Sequence, residues 1–287
     1  MQSLWMIAAS LLFACMGVCV KLGSAHLSTG ELVFYRGFVG FAMMLALIRW
    51  QGIPWRTPHW RMQLSRGLSG TISLMCYFFA LGVLPLAAAV TLSYTSPLFV
   101  ALLLILWFRE RPGRGALAAI ALGFAGVVML LKPTLQPDQW FGALVGMAGG
   151  MLASIAYINV RELGRVGEPE ARTVLWFSFV TCLFGLGWAM LSGGLHPMDT
   201  RTLAIVLGVG GFGGLAQLAM TRAYRYGKTV VSANLSYSTV IFSSLFGVAL
   251  WNERLPWASL LGIATIIASG VLISVVSRRP APALESD

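Results

Sequence analysis

TLSYTSPLF at residues 91–99 and NLSYSTVIF at residues 234–242 carry one polar phrase, Leu-Ser-Tyr, twice, 143 residues apart in a chain that is otherwise mostly hydrocarbon. Aligned without gaps, residues 92–111 and 235–254 share Leu, Ser, Tyr, Phe, Leu, Glu and Arg at equivalent positions, and both stretches close on Glu-Arg, as WFRER and LWNER. After a one-residue insertion, GVVML at 126–130 answers GVLIS at 270–274, and LLFACMGVCVK at 11–21 echoes MLASIAYINVR at 151–161. The chain reads as a duplication of a unit half its length.

The surroundings of the phrase identify its solvent. Hydrophobic residues make up 57% of the 287, charged residues 10%, and mean hydropathy is +0.79, whereas soluble domains are about 25% charged. Ten apolar runs follow one another, at residues 4–22, 31–48, 64–84, 86–108, 115–131, 140–160, 173–191, 203–221, 229–251 and 257–276. Each approaches the roughly 17 to 25 residues that cross a bilayer core. Continuous rather than alternating apolarity predicts helices, which satisfy their own backbone groups, and not barrel strands. The expected fold class is therefore an all-α membrane protein of ten transmembrane helices. Glu31 and Arg36 are read as the charges inside the runs, with Arg66 counted among the basic flanks. Residues 1–19 contain no Lys or Arg, so the first run is read as a span and not a cleaved signal.

Ten spans return the chain to the side from which it starts, and the basic residues select that side. Fifteen of the 20 Lys and Arg residues fall on the face carrying the termini, while Lys21, Arg36, Lys132, Arg201 and Arg254 belong to the other. The positive-inside rule makes the termini cytoplasmic. A basic face that orients the protein and meets anionic lipid accounts for the net charge of +10, so membrane lipids are expected partners and nucleic acid is not.

Each copy holds five spans, an odd number, so the second enters the membrane from the opposite side. The linkers carry charge to match: ALGVLPLA at 80–87 has none, whereas its counterpart AYRYGKTV at 223–230 holds Arg225 and Lys228. Inverted repeats related by an axis in the membrane plane mark secondary transporters, whose substrate site lies between the repeats near the midplane. The expected organisation is one five-helix repeat over residues 1–135, a second over 136–277 and a cytoplasmic tail over 278–287.

Ten spans, two five-span halves and Glu-Arg endings that each lead into a Gly-rich span resemble the EamA-like branch of the drug/metabolite transporter superfamily, over residues 5–276. The resemblance implies a bundle in a bacterial inner membrane, with a central cavity lined from both halves and no cofactor. It implies a carrier of amino acids, aromatic or hydrophobic ones among them, of other metabolites or of drugs, commonly an exporter. A monomer or weak homodimer is expected.

Helical spacing nominates the cavity lining. Thr91, Tyr94, Thr95 and Leu98 share one face of the fourth span, and Asn234, Tyr237, Ser238 and Ile241 the equivalent face of the ninth. Hydroxyls and amides facing lipid would lack partners, so these faces should turn inward. Inverted symmetry would set Tyr94 toward the outer half and Tyr237 toward the inner half, at opposite ends of one path. The alternative is that both bond neighbouring helices, at about 0.6 to 2 kcal/mol each. Pro97, which frees the carbonyl of Ser93, should kink the fourth span, while Val240 leaves the ninth straight. Tyr77 with Ser73, Ser154 with Tyr157, and Gln217 are further substrate-binding candidates. Arg36 costs about 2.5 to 3.5 kcal/mol if central; it either snorkels to the outer interface or grips a substrate carboxylate. Its counterpart is Trp176. Glu110 and Glu253 are expected to bind nearby backbone or basic groups.

Several patterns lose their usual meaning in this context. GVGGFG at 208–213 lies inside an apolar run and not after a strand, so close helix packing explains it better than dinucleotide binding, as it explains Gly142, Gly146 and Gly150. Cys15, Cys19, Cys76 and Cys182 sit within spans and the three histidines lie in loops or at ends, so no metal site is expected. No acid or histidine occupies the middle of a span, which argues against proton coupling. Two readings are left: a secondary carrier of a small-molecule substrate, or a membrane enzyme or accessory protein holding a lipid-linked substrate. The duplication favours the carrier, because alternating access exploits inverted symmetry and catalysis gains little from it.

Overall fold

A computed structural model of the chain describes residues 2–84, 86–109, 112–131, 139–251 and 256–276. Glu110, Arg111, Lys132, Glu253, Arg254, Arg278 and Arg279, the expected boundary at 135–136 and the expected tail at 278–287 lie outside the described residues. Within the described residues the chain is all-helical, without a strand. A short 3₁₀ turn at Gln2–Leu4 leads into α1 (Trp5–Gly23), α2 (Thr29–Trp50), α3 (Trp60–Val83), α4 (Leu86–Ser93), α5 (Ser96–Leu106) and α6 (Arg114–Leu131). Then follow α7 (Trp140–Arg165), α8 (Glu170–Leu191), α9 (Thr200–Tyr226), α10 (Thr229–Leu235), α11 (Ser238–Trp251) and α12 (Trp257–Val276). Seven stretches of the described chain are long and apolar enough to cross a membrane, two of them being α4 with α5 and α10 with α11 taken together. The protein is a multi-pass membrane protein.

The heaviest helix pairings join the first half of the chain to the second: α2 with α8, α3 with α7, α6 with α12 and α1 with α9. Glycine permits the closest of these approaches. A Cβ on Gly37 would lie 2.4 Å from the backbone nitrogen of Cys182, and one on Gly185 2.5 Å from that of Phe34, so α2 and α8 touch backbone to backbone. Packing also explains the α7 glycines, since Gly142 meets Val83 and Leu84, Gly146 meets Leu92 and Ala80, and Gly150 meets Thr95.

The repeated phrase is where both long apolar spans break. α4 ends at Ser93 and α5 begins at Ser96; α10 ends at Leu235 and α11 begins at Ser238. The expectation of a kink beside Pro97 holds, and Pro97 sits in the first turn of α5. The expectation of a straight ninth span fails. Its backbone tightens into i→i+3 bonds, Tyr237 N–H to Asn234 O at 3.2 Å and Val240 N–H to Tyr237 O at 3.0 Å, without any proline. A side-chain hydroxyl bonds a carbonyl three residues back at each break, from the residue after the tyrosine in the first and the residue before it in the second: Thr95 Oγ1 donates to Leu92 O at 2.6 Å and Ser236 Oγ donates to Ala233 O at 2.7 Å. These bonds occupy carbonyls that an uninterrupted helix would fill.

Two buried glutamates fasten opposite ends of the bundle. Glu31 forms a capping box with Ser28 at the start of α2, and its carboxylate also accepts from the His196 backbone N–H at 2.6 Å and meets His196 Nδ1 at 2.8 Å, in the α8–α9 loop. Glu168, just before α8, accepts from Thr57, from Gln63 Nε2 at 3.2 Å and from Arg172 Nε at 2.7 Å. Arg172 also donates to the carbonyls of Pro54 and Arg56, so the α2–α3 loop is held down. α2 and α8 run antiparallel, Gly30 lying against Ala189 and Gly40 against Ser178, which puts the two clamps at opposite ends.

Candidate functional site

Between the halves runs a seam of buried polar groups, and its most strongly charged part lies where α2, α3, α8 and α9 meet. Arg36, on α2, is 5% exposed and therefore does not snorkel. Its Nε points at the Met16 sulfur at 3.4 Å, a weak acceptor, and its Cζ lies 5.2 Å from the centre of the Phe177 ring. Arg66 corrects the count of basic flanks. α3 begins four residues earlier than the apolar run, at Trp60, so Arg66 stands inside the bundle, 2% exposed. Its Cζ is 4.2 Å from the same Phe177 ring, and its Nη2 donates to Gln217 Oε1 at 3.0 Å. Arg66 Nε and Nη1 are buried and have no partner. Tyr157 stands within Coulombic reach of both guanidiniums. Its ring stacks on Tyr224, with centroids 5.2 Å apart and planes 16° from parallel.

The structure gathers the other candidates unevenly. Tyr94 and Tyr237 do not mark opposite ends of a path: their rings are neighbours, 6.3 Å between centroids and tilted by 45°. The reason is local, since each tyrosine occupies the break of its span and both breaks meet inside the bundle. Tyr94 is half-buried, with Thr239, Tyr77 and Tyr157 in its electrostatic neighbourhood. Tyr237 is fully buried, its hydroxyl unpartnered, among Val127, Val240 and Ile266. Asn234 Nδ2 donates to Ala119 O at 3.1 Å and to Ser269 Oγ at 2.9 Å, which fastens α10 to α6 and α12. Ser154 donates to Met151 O within its own helix, and Ser73 donates to Gly149 O across to α7. Thr91 is buried in α4, and Tyr77 is half-buried beside Phe78.

Three contributors escape sequence reading: Arg66, Phe177 and Tyr224. Only Arg66 carries a signal, a charge inside an apolar run. In the conformation described the seam is filled, with Arg66, Gln217, Ser154, Asn234 and Tyr237 all less than a tenth exposed. At the end where α2 finishes and α8 begins, a groove of about 370 Å³ opens, lined by Gln51, Ala171, Leu218, Arg222, Arg225 and Tyr226. Its walls are α2, α8 and α9, the helices that bring Arg36, Phe177 and Gln217 to the seam.

Comparison with known proteins matches this architecture to one family. The sequence model of the EamA-like transporter family matches residues 1–132 and 140–275. A pseudopaline exporter of Pseudomonas aeruginosa is 30% identical over 269 residues, covering 94% of this chain and 92% of that one. A riboflavin transporter of Rhizobium johnstonii is 27% identical over 77% of this chain and 74% of its own, and an S-adenosylmethionine uptake transporter of Rickettsia bellii is 23% identical over 92% and 89%. One solved crystal structure superposes with a TM-score of 0.85 at 22% identity, covering 97% of this chain and 99% of that one, and so shares the fold.

Proposed function

The chain belongs to the EamA-like transporter family, and on that premise we propose that it is a secondary carrier moving a small organic metabolite across a bacterial inner membrane by alternating access. Export is the proposed direction, with aromatic or hydrophobic amino acids among the candidate substrates, and the carrier works as a monomer or weak homodimer. The reading of an enzyme or accessory protein is not favoured by relatives that are named as transporters.

One observation carries the proposal: the heaviest helix pairings map onto themselves when the two halves are exchanged. Under that exchange α1 and α7, α2 and α8, and α3 and α9 swap roles, as do α4–α5 and α10–α11, and α6 and α12. The α3·α7 pairing then becomes α1·α9, α2·α9 becomes α3·α8, α1·α11 becomes α5·α7, and α2·α8 and α6·α12 become themselves. The paired breaks and the Glu31 and Glu168 clamps follow the same exchange. Such a packing supports two five-helix repeats of inverted topology, with ten spans, because a rocking motion that opens one end has a mirrored counterpart that opens the other; the excess of Lys and Arg on the face carrying the termini supports cytoplasmic termini. Solute counterflow in proteoliposomes tests the carrier. A purified protein that exchanges labelled for unlabelled metabolite without ATP supports it, and failure to exchange any metabolite from a cell extract refutes it. A reporter fused after Ser277 that reads as extracellular would refute the topology.

A further inference from the structure

We infer that Arg36 and Arg66, which share one contact, the Phe177 ring, form the anion-binding centre of this carrier and bind a carboxylate of its substrate. The inference rests on the carrier reading and deepens it by naming a substrate class, carboxylate-bearing organic metabolites.

The charge balance of the seam is the first argument. Both guanidiniums are buried, and among the described residues no carboxylate pairs with either. Glu31, Glu162, Glu168, Glu170 and Asp199 all lie in loops, at caps or in the terminal turns of helices, away from the pair. The two cations contact one ring at 5.2 and 4.2 Å, so they stand less than about 9.5 Å apart in a region of low dielectric. A buried charge without a partner is strongly unfavourable, and two that repel each other are more so. Architecture does not require Arg36, since Trp176 stands at its counterpart position in the second half. The other groups around the two cations, Gln217 and Tyr157, are neutral and leave the positive charge standing. An anion entering between the halves supplies the missing partner.

The donor geometry is the second argument. Gln217 orients Arg66 through Nη2 and leaves Nε and Nη1 unmet, so the side chain is positioned but not saturated. The guanidinium also occupies space cleared for it: a Cβ on Gly70 would lie 2.2 Å from Arg66 Nη1. A planar fork with free N–H groups binds carboxylate bidentately, which a lysine would not reproduce. The location fits a carrier. Arg36 and Arg66 come from the first half, whereas Phe177, Gln217 and Tyr157 come from the second, so an anion held here bridges the parts that must move.

The test is binding to purified protein in a neutral detergent, read as thermal stabilisation against a panel of mono-, di- and tricarboxylates, each matched to its uncharged amide. The expected result is stabilisation by some of the acids and not by their amides. Arg66→Gln and Arg36→Gln should each weaken the best acid roughly ten- to hundredfold, the loss of a charge-assisted hydrogen bond. Gly70→Ala keeps every charge but displaces the Arg66 guanidinium, and should weaken the same acid while the folded yield is preserved; it decides the matter if the glutamine variants do not fold. The inference is overturned if no acid is preferred to its amide, or if the affinity survives in Gly70→Ala and the folded glutamine variants. It is also overturned if phosphatidylglycerol, and no carboxylate, is the anion whose binding depends on these residues. Counterflow run in parallel separates the two readings. Acids that exchange normally in all variants sink the anion site and leave the carrier intact, whereas arginine-dependent acid binding without any exchange sinks the carrier and leaves the anion site.

Discussion

Tyr94 and Tyr237 occupy the same place in the two copies of one phrase, and the molecule uses them differently. Around both, the backbone tightens into i→i+3 turns and a hydroxyl caps the preceding carbonyl. Around Tyr94 the ring is half-buried, and Thr239, Tyr77 and Tyr157 are its polar neighbours. Around Tyr237 the ring is fully buried in apolar side chains and its hydroxyl has no partner. A duplicated sequence thus preserves a backbone device, the break, while the two side chains diverge into a polar-facing and a packing role. Functional equivalence does not follow from sequence equivalence.

The largest expected effect comes from removing the packed ring. Tyr237→Ala empties a site enclosed by Val127, Val240 and Ile266, and large-to-small changes of this kind cost about 3 to 5 kcal/mol. The half-buried ring of Tyr94 should cost about half of that when truncated, while changing the apparent affinity for substrate. Thermal unfolding in detergent and counterflow on the same two proteins check both statements. Equal losses of stability would end the contrast.

The contrast sharpens at Gly123. A Cβ there would stand 2.6 Å from Tyr237 Cδ2 and 2.6 Å from Ser269 Oγ. Gly123→Ala should therefore overpack the site and destabilise the fold by about 1 to 3 kcal/mol. In the Tyr237→Ala background the same substitution should cost much less, because the ring it collides with is gone. A double-mutant cycle in which the two costs simply add would show that the ring does not depend on Gly123.

How much of this was legible in sequence depends on what hydropathy records. Apolar runs and their duplication are chemical patterns, so the membrane-spanning helices, the halves and the position of the shared phrase follow from the letters. Breaks inside apolar runs do not alter hydropathy. The proline in the fourth span gave a sign, and the ninth span gave none, because its break is made by backbone turns and Ser236. Arg66 was misplaced for a related reason. WRMQLSRGL is polar enough to read as a flank, yet it is helical and buries Gln63 and Arg66, which find their partners in Glu168 and Gln217, more than 100 residues on. Tyr94, Tyr157 and Gln217 were nominated by type and spacing, as substrate-binding candidates. Phe177 was not, because nothing in a lone phenylalanine announces two guanidiniums.

A smaller effect tests the shared device itself. Thr95→Val and Ser236→Ala each delete one hydroxyl bond to a backbone carbonyl, at 2.6 and 2.7 Å, and leave both tyrosines intact. Each should cost about 1 kcal/mol, the net worth of an ordinary hydrogen bond, and the two losses should be similar despite the different surroundings. Unequal losses in thermal unfolding would mean that the two breaks are not one device.

The smallest expected effect is also the sharpest discriminator. Tyr→Phe retains the ring and removes only the hydroxyl, so it isolates the feature in which the two sites differ most. Tyr94→Phe removes a hydroxyl that lies near Thr239, and polar contacts between helices in membranes are worth about 0.6 to 1.7 kcal/mol. Tyr237→Phe deletes a buried hydroxyl that satisfies nothing, so its stability should be unchanged or raised by a fraction of about 1 kcal/mol. The signs therefore separate: a loss at 94, and no loss at 237. The outcome also bears on transport, because Tyr94→Phe changes a polar tip near Tyr77 and Tyr157, whereas Tyr237→Phe changes nothing that faces the seam. A loss of stability at Tyr237→Phe would reveal a partner for that hydroxyl in another conformation of the cycle, and the two copies of the phrase would then share a role that the single conformation conceals.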